Sequence, residues 1–186
     1  MHTLPLYKTE QIDKLAWPTV QRQISLHSPA LSIVTDFTEQ TPQVIDYDTA
    51  AVALESLMKH SHVKMKIVLD KHQQFAGIVT LADLTEQRIL QKVASGIERH
   101  ELTAQDFMQP KTALQSFDYA QLVNARVGDV VETLKDNGQH HCLVTDRGAH
   151  EIRGVISVSD IARTLRLPLD IYAQPSFSAL SRILAA

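Results

Sequence analysis

Only one cysteine, Cys142, is present in the chain, which excludes an internal disulfide framework and fits a reducing compartment. No window approaches the roughly 18 apolar residues that a membrane helix needs. The opening Met1-His2-Thr3-Leu4-Pro5-Leu6-Tyr7-Lys8 has no basic segment running into an apolar one, so no signal peptide is expected and the expected location is cytoplasmic. Basic charge is not in excess either: 18 Lys and Arg face 21 Asp and Glu, for a net charge of −3. That balance disfavours nucleic acid and anionic membranes as partners, since both recruit basic surfaces. Catalytic signatures are missing as well. No G-x-S-x-G, P-loop or G-x-G-x-x-G occurs, and nothing pairs a nucleophile with a base, so no catalytic residue is assigned and the chain reads as a non-enzyme. Nine histidines invite a metal, but His60 and His62 fall at a helix end, His140 and His141 are adjacent, and no cysteine or acid cluster stands at ligand spacing, so no metal is assigned. Cys142 lies inside an apolar strand and reads as core.

What is present is a repeat. Gly77-Ile78-Val79-Thr80-Leu81-Ala82-Asp83-Leu84 returns 77 positions later as Gly154-Val155-Ile156-Ser157-Val158-Ser159-Asp160-Ile161. The shared grammar is Gly, two apolar residues, a hydroxyl, two more residues, Asp and an apolar residue. A period this long points to a duplicated half-domain and not to a solenoid. In a chain of 186 residues with 44% apolar content, two such halves can share one core.

The surroundings of the two octapeptides repeat too. Residues 1–30 fit neither copy and read as an arm, with a short helix over Ile12, Leu15 and Ala16 ended by Trp17-Pro18. The first copy spans 31–95. After Asp36-Phe37, an extended piece at Thr41 to Asp46 leads to a helix, capped by Asp48 or Thr49, whose buried face is Ala50, Ala53, Leu54, Leu57 and Met58. Strands at Lys66–Asp70 and Phe75–Val79 follow, then a helix from Leu81 to about Ala94, stopped by Ser95-Gly96. The second copy spans 96–168, with Asp106-Phe107 echoing Asp36-Phe37 and about six extra residues around Lys111 to Gln121. Its helical face is Val127, Val130, Val131 and Leu134, its strands are Cys142–Asp146 and Ile152–Ile156, and its last helix runs from Val158 to a stop at Pro168. Residues 169–186 form a tail in which Phe177, Leu180, Ser181 and Leu184 suit a helical turn or two. Each copy reads β-α-β-β-α, an α/β (α+β) fold, and neither can cover both faces of its sheet alone, so the two should pack together.

The hydroxyl and acid of each octapeptide admit two readings. A hydroxyl at the N-cap with an acid three residues on is close to a capping box and needs no ligand. Alternatively, unpaired N–H groups at a helix start suit a phosphate, the hydroxyl can donate to it, and an ionised Asp can accept hydrogen bonds from a ribose diol. Arg163, one turn after Asp160, is a further phosphate partner, whereas the matching residue of the first copy is the acid Glu86.

From about Leu31 to Leu167 the chain resembles a tandem pair of CBS domains, the regulatory domain type of cystathionine β-synthase. The likeness rests on the β-α-β-β-α order, the strands ending in Asp70 and Asp146, and the two Gly-h-h-[Ser/Thr]-x-x-Asp-h turns. It implies two units packed by their sheets about a pseudo-two-fold axis, with two clefts. It implies ribose contacts at Asp83 and Asp160, phosphate contacts at Thr80 and Ser157, and adenine against the backbone of Thr41, Pro42 and Val44, with Leu122 to Asn124 as the second-copy counterpart. A basic pair before the middle strand, which holds phosphates in some members, is matched by His140-His141 but only by Lys64 in the first copy. The resemblance therefore implies a stand-alone, non-catalytic, energy-sensing regulator that binds AMP, ADP, ATP or S-adenosylmethionine, needs no cofactor, forms a homodimer and acts on a separate protein target. An interaction module without a nucleotide, its turns serving only as caps, is the alternative, and an enzyme acting on nucleotides is a third. The more basic second copy is where a phosphate is expected first.

Overall fold

A computed structural model describes residues 24–167 and 176–184, so the helix expected at Ile12 to Ala16 and the stop at Pro168 lie outside the described residues. Among the described residues, eight strands form two four-stranded sheets. In the first copy, β2 (Val44–Asp46) pairs in parallel with β3 (Met65–Leu69), which pairs antiparallel with β4 (Phe75–Thr80). In the second, β6 (Ser116–Asp118), β7 (His141–Asp146) and β8 (Glu151–Ser157) repeat the arrangement.

The fourth strand of each sheet comes from the other half of the chain. β1 (Val34–Asp36) pairs with β8, and β5 (Gln109–Pro110) pairs with β4. The segments before these strands cross over as well. The 3-10 turn Ala30–Ile33 docks on the start of α5 (Val127–Leu134), where Ala30 N–H donates to Ala125 O at 2.9 Å and Val127 N–H to Ser28 O at 2.9 Å. Its counterpart, α3 (Ala104–Phe107), docks on α1 (Ala51–His60), where Ala104 N–H donates to Thr49 O at 2.8 Å and Ala51 N–H to Leu102 O at 2.9 Å. Two halves that trade edge strands are tied together by backbone hydrogen bonds in addition to packing.

This exchange explains the glycine that leads each octapeptide. A Cβ on Gly77 would sit 2.2 Å from the carbonyl oxygen of Gln109, and one on Gly154 would sit 2.5 Å from that of Thr35. The visiting strand lies where a side chain would stand.

Alternation along each strand sorts the core into layers. Ile78, Leu143 and Val155 cluster between the two sheets. Their neighbours Val68 and Val79 face α1 and α2 (Glu86–Ala94) in the first copy, while Cys142, Val144 and Ile156 face α5 and α6 (Val158–Thr164) in the second. The tail forms α7 (Phe177–Leu184), as expected, with Phe177 and Leu180 fully buried in the second-copy core.

Several expectations shift. The N-cap of α1 is Ala50, not Asp48 or Thr49, because the docked α3 segment already satisfies the first amide. The buried face is therefore Ala51, Leu54 and Met58, and Leu57 is half exposed. Asp106 belongs to α3, and the register of the exchanged strands matches Pro110, not Asp106, to Asp36. The second copy's additional length becomes the short helix α4 (Tyr119–Leu122), which puts Leu122 in the core. The counterpart of the segment before β2 is accordingly the run before β6. α2 begins at Glu86, five residues after the expected start, capped by Thr85, whose side chain accepts from Arg88 N–H. α6 ends at Thr164, and Arg166 adopts a left-handed conformation at φ 55° just beyond it.

Candidate functional site: two unequal clefts between the sheets

Thr80 and Ser157 share their strands' inward parity with Ile78 and Val155, so both hydroxyls point toward the space between the sheets. Two clefts result, and each is assembled from both copies.

The larger has a volume of about 450 Å³. The second copy contributes Ser157, Ser159, Asp160, Arg163 and His141, and the first contributes Thr41, Pro42, Gln43, His62 and Lys64. Strand exchange adds Thr35 and Phe37 to its wall. Seven residues singled out in the sequence meet here: Thr41, Pro42, Lys64, His141, Ser157, Asp160 and Arg163. Ser157 stands at the N-cap of α6, yet its side chain makes no cap hydrogen bond. The carboxylate of Asp160 accepts from Arg163 at 2.8 Å, and both side chains remain open to solvent. Lys64 Nζ reaches across from the first copy to within 3.5 Å of Ser159 Oγ. A hydroxyl, a carboxylate and cations from both halves thus share one cavity.

The smaller cleft has a volume of about 200 Å³ and is lined by Thr80, Asp83 and Arg88, by Gln109 of the exchanged strand, and by residues 138–141, including His140. Here the acid is only 4% exposed and fully engaged. Asp83 Oδ2 accepts from Thr80 N–H at 2.9 Å, from Thr80 Oγ1 at 2.7 Å and from Gln109 Nε2 at 3.1 Å, and Oδ1 accepts from Arg88 at 2.6 Å. Thr80 and Asp83 therefore close a turn before α2 and do not cap it. Of a capping box, the first octapeptide keeps the acid's bond to the Thr80 amide, and the Ser157 side chain makes no cap bond at the second. Glu86, the counterpart of Arg163, is held by both terminal nitrogens of Arg99 at 2.7 and 2.8 Å.

His141 borders both clefts, and its Nδ1 is buried without a hydrogen-bond partner. Burial, reinforced by the neighbouring positive charges of His140 and Lys64, pushes its pKa down to about 4. Burial likewise pushes the Cys142 thiol up to about 11, which suits an inert core residue. Val44 lines no part of the larger cleft. It borders an adjoining groove of about 990 Å³, whose walls share Phe37, Pro42 and Ile67 with that cleft.

Sequence reasoning missed Thr35, Gln40, His62, Arg88 and Gln109. Thr35 and Gln109 reach their clefts through strand exchange, so local pattern carries no sign of them; Ser159 was visible inside the octapeptide but had no assigned role.

Comparison with known proteins agrees with the architecture. Residues 123–167 match the family model of the CBS domain. No curated protein matches the chain. Among solved structures, an uncharacterized conserved protein from Pyrococcus horikoshii is similar over 79% of this chain and 98% of its own, at 18% identity and a TM-score of 0.57. CBSX2 in complex with AMP is similar over 74% of this chain and 94% of its own, at 18% identity and a TM-score of 0.53. A conserved CBS domain protein of unknown function from Thermoplasma acidophilum is similar over 80% of this chain and 76% of its own, at 17% identity and a TM-score of 0.52. At such identities the likeness is one of fold. Among the described residues, no helix is long and apolar enough to cross a membrane.

Proposed function

We propose, from the CBS-domain match over residues 123–167 and the likeness in fold to a CBS domain protein, that the chain is a non-catalytic regulator that binds an adenine nucleotide in the larger cleft. The observation that carries this reading is the convergence of Ser157 and Asp160 from one copy with Thr41, Pro42 and Lys64 from the other in a single open cavity. A volume of about 450 Å³ lies within the roughly 300–1,000 Å³ usual for small-molecule sites. Asp160 accepts the ribose hydroxyls. Ser157, Lys64 and Arg163 face the phosphate, and the adenine lies along Thr41 and Pro42. Lys64, Arg163 and His62 favour a phosphate-bearing ligand (AMP, ADP or ATP) over the cationic S-adenosylmethionine. That CBSX2, of similar fold, is in complex with AMP makes AMP the first ligand to test.

Regulation follows from the construction of the cleft. A ligand that touches both halves favours the packing in which they meet, and it can shift that packing only by its differential affinity for the two arrangements. We assign the readout to a separate protein target and the working unit to a homodimer in the cytoplasm. The reading without a ligand fits the first-copy turn, where the Asp83 carboxylate accepts from Thr80 N–H and from other protein donors, but Ser157 at the second-copy turn makes no cap bond, which supports a ligand there.

Calorimetric titration with AMP, ADP, ATP and S-adenosylmethionine tests the proposal. Phosphate-bearing ligands should bind tighter than millimolar, and Asp160→Ala should abolish this without lowering thermal stability, because that carboxylate is solvent-facing. Absence of binding by all four would sink the nucleotide reading.

A further inference from the structure

The two clefts have matching walls, but their aspartates are engaged to different degrees. In the larger, Asp160 has one exposed partner on its own helix. In the smaller, four donor atoms already surround the buried Asp83 carboxylate. Two of those donors, from Arg88 and Gln109, come from outside the octapeptide. The register of the exchanged strands makes Thr35 the counterpart of Gln109, since Thr35 pairs with Val155 and Gln109 with Ile78. The repeat makes Leu165 the counterpart of Arg88, 77 positions on. Neither counterpart is a long donor able to reach Asp160: Thr35 lines the larger cleft, and Leu165 packs against the second-copy core.

We infer that Arg88 and Gln109 act as an internal ligand for Asp83, supplying the hydrogen bonds that a ribose diol would give and holding the smaller cleft shut, so that the chain takes nucleotide in one cleft only. This rests on the nucleotide reading for its ligand. The geometry of the clasp stands without it.

The same contact gives Gln109 a second consequence. β5 has only two residues, Gln109 and Pro110, and proline donates no backbone hydrogen bond. The side-chain bond from Gln109 to Asp83 therefore adds an anchor to the shortest strand of the fold. Asp83 is in this view a fastener for the exchanged strand. It is buried because its partners are protein groups, which do not leave.

Replacement of the two donors by their counterparts, Arg88→Leu with Gln109→Thr, tests the inference. Titration with AMP should give one site per wild-type chain and two per chain of the double variant, and adding Asp83→Ala should remove the new site while sparing the original. Two sites in the wild type would overturn the inference, as would a folded double variant that still takes only one. A second arm needs no nucleotide. In a cycle of Asp83→Asn and Gln109→Leu followed by chemical unfolding, the two losses should overlap strongly, the double variant being little worse than the poorer single one. Simple addition of the two losses would overturn the clasp. Should the wild type bind no adenosine ligand, the nucleotide reading fails and this cycle alone decides whether Arg88 and Gln109 hold Asp83 as an internal ligand.

Discussion

Replacing His141 by Met, the residue at the matching position of β3, should flatten the pH dependence of stability. In the folded chain burial holds the His141 pKa near 4 against an ordinary value of 6.5. Above pH 6.5 the ring is neutral in both folded and unfolded chains and contributes no pH dependence. As the pH falls from 6.5 toward 4 the unfolded chain takes up a proton that the folded chain refuses, so stability is lost through that window. A difference of this size corresponds to about 3 kcal/mol at full extent. Met65 faces the inter-sheet space with the same strand parity and carries no charge, so His141→Met keeps a side chain of suitable shape while removing the titration. Urea unfolding at half-unit steps from pH 7.5 to 4.5 measures this. The wild type should lose about 2.5 kcal/mol more than the variant across the series, which stops short of the full extent, whatever their difference at pH 7.5. Other groups titrate in both proteins and cancel. Parallel stability curves would refute the reasoning and place His141 in contact with water or with an acceptor.

Two further perturbations test the strand exchange. Arg153 on β8 donates from Nε and a terminal nitrogen to Asp36 on β1 at 2.9 and 3.1 Å, and its guanidinium lies 4.5 Å from the centre of the Tyr119 ring. Its hydrogen bonds hold the Asp36 carboxyl well below the usual carboxylate range. Arg153→Met should cost about 2 kcal/mol at pH 7, and its effect should shrink as the pH falls below about 4 and the carboxyl of the variant takes up a proton; chemical unfolding at pH 7 and pH 3 reads both. Gly154→Ala places a methyl group against the carbonyl oxygen of Thr35 and should cost about 2 kcal/mol or more by forcing β1 outward. Gly138→Ala, where nothing lies within 4 Å of the new atom, should stay within about 0.5 kcal/mol in the same unfolding assay.

How much of this was legible depended on the length scale of the signal. The inner strands were readable because β-branched runs such as Ile67-Val68 and Val155-Ile156 are bounded by turns, and α5 was readable because Val127, Val130, Val131 and Leu134 keep a helical period. The edge strands were not. β1 has three residues and β5 two, too few for any period to register, and an echo between Asp36-Phe37 and Asp106-Phe107 pointed to the wrong alignment. The same short strands carry Thr35 and Gln109 to the clefts, so the missing site residues have the same origin as the missing topology. The helical face of α1 was misplaced because the sequence offers both Leu54 and Leu57, and only docking of Thr103-Ala104 on its first turn decides between them. The asymmetry between Arg163 and Glu86 was visible in the sequence and made the second-copy turn the first place to look for a phosphate. Its full extent, with Asp83 enclosed by protein donors, needed the fold.

The most direct test of the central claim is an amide chemical-shift titration of the labelled protein with AMP. Saturable shifts are expected at Gln40, Thr41 and Gln43, at Lys64 and from Ser157 to Arg163, with the amides of Thr80 to Asp83 left unmoved. Shifts centred on Thr80 to Asp83, or no saturable shifts at all, would contradict the account.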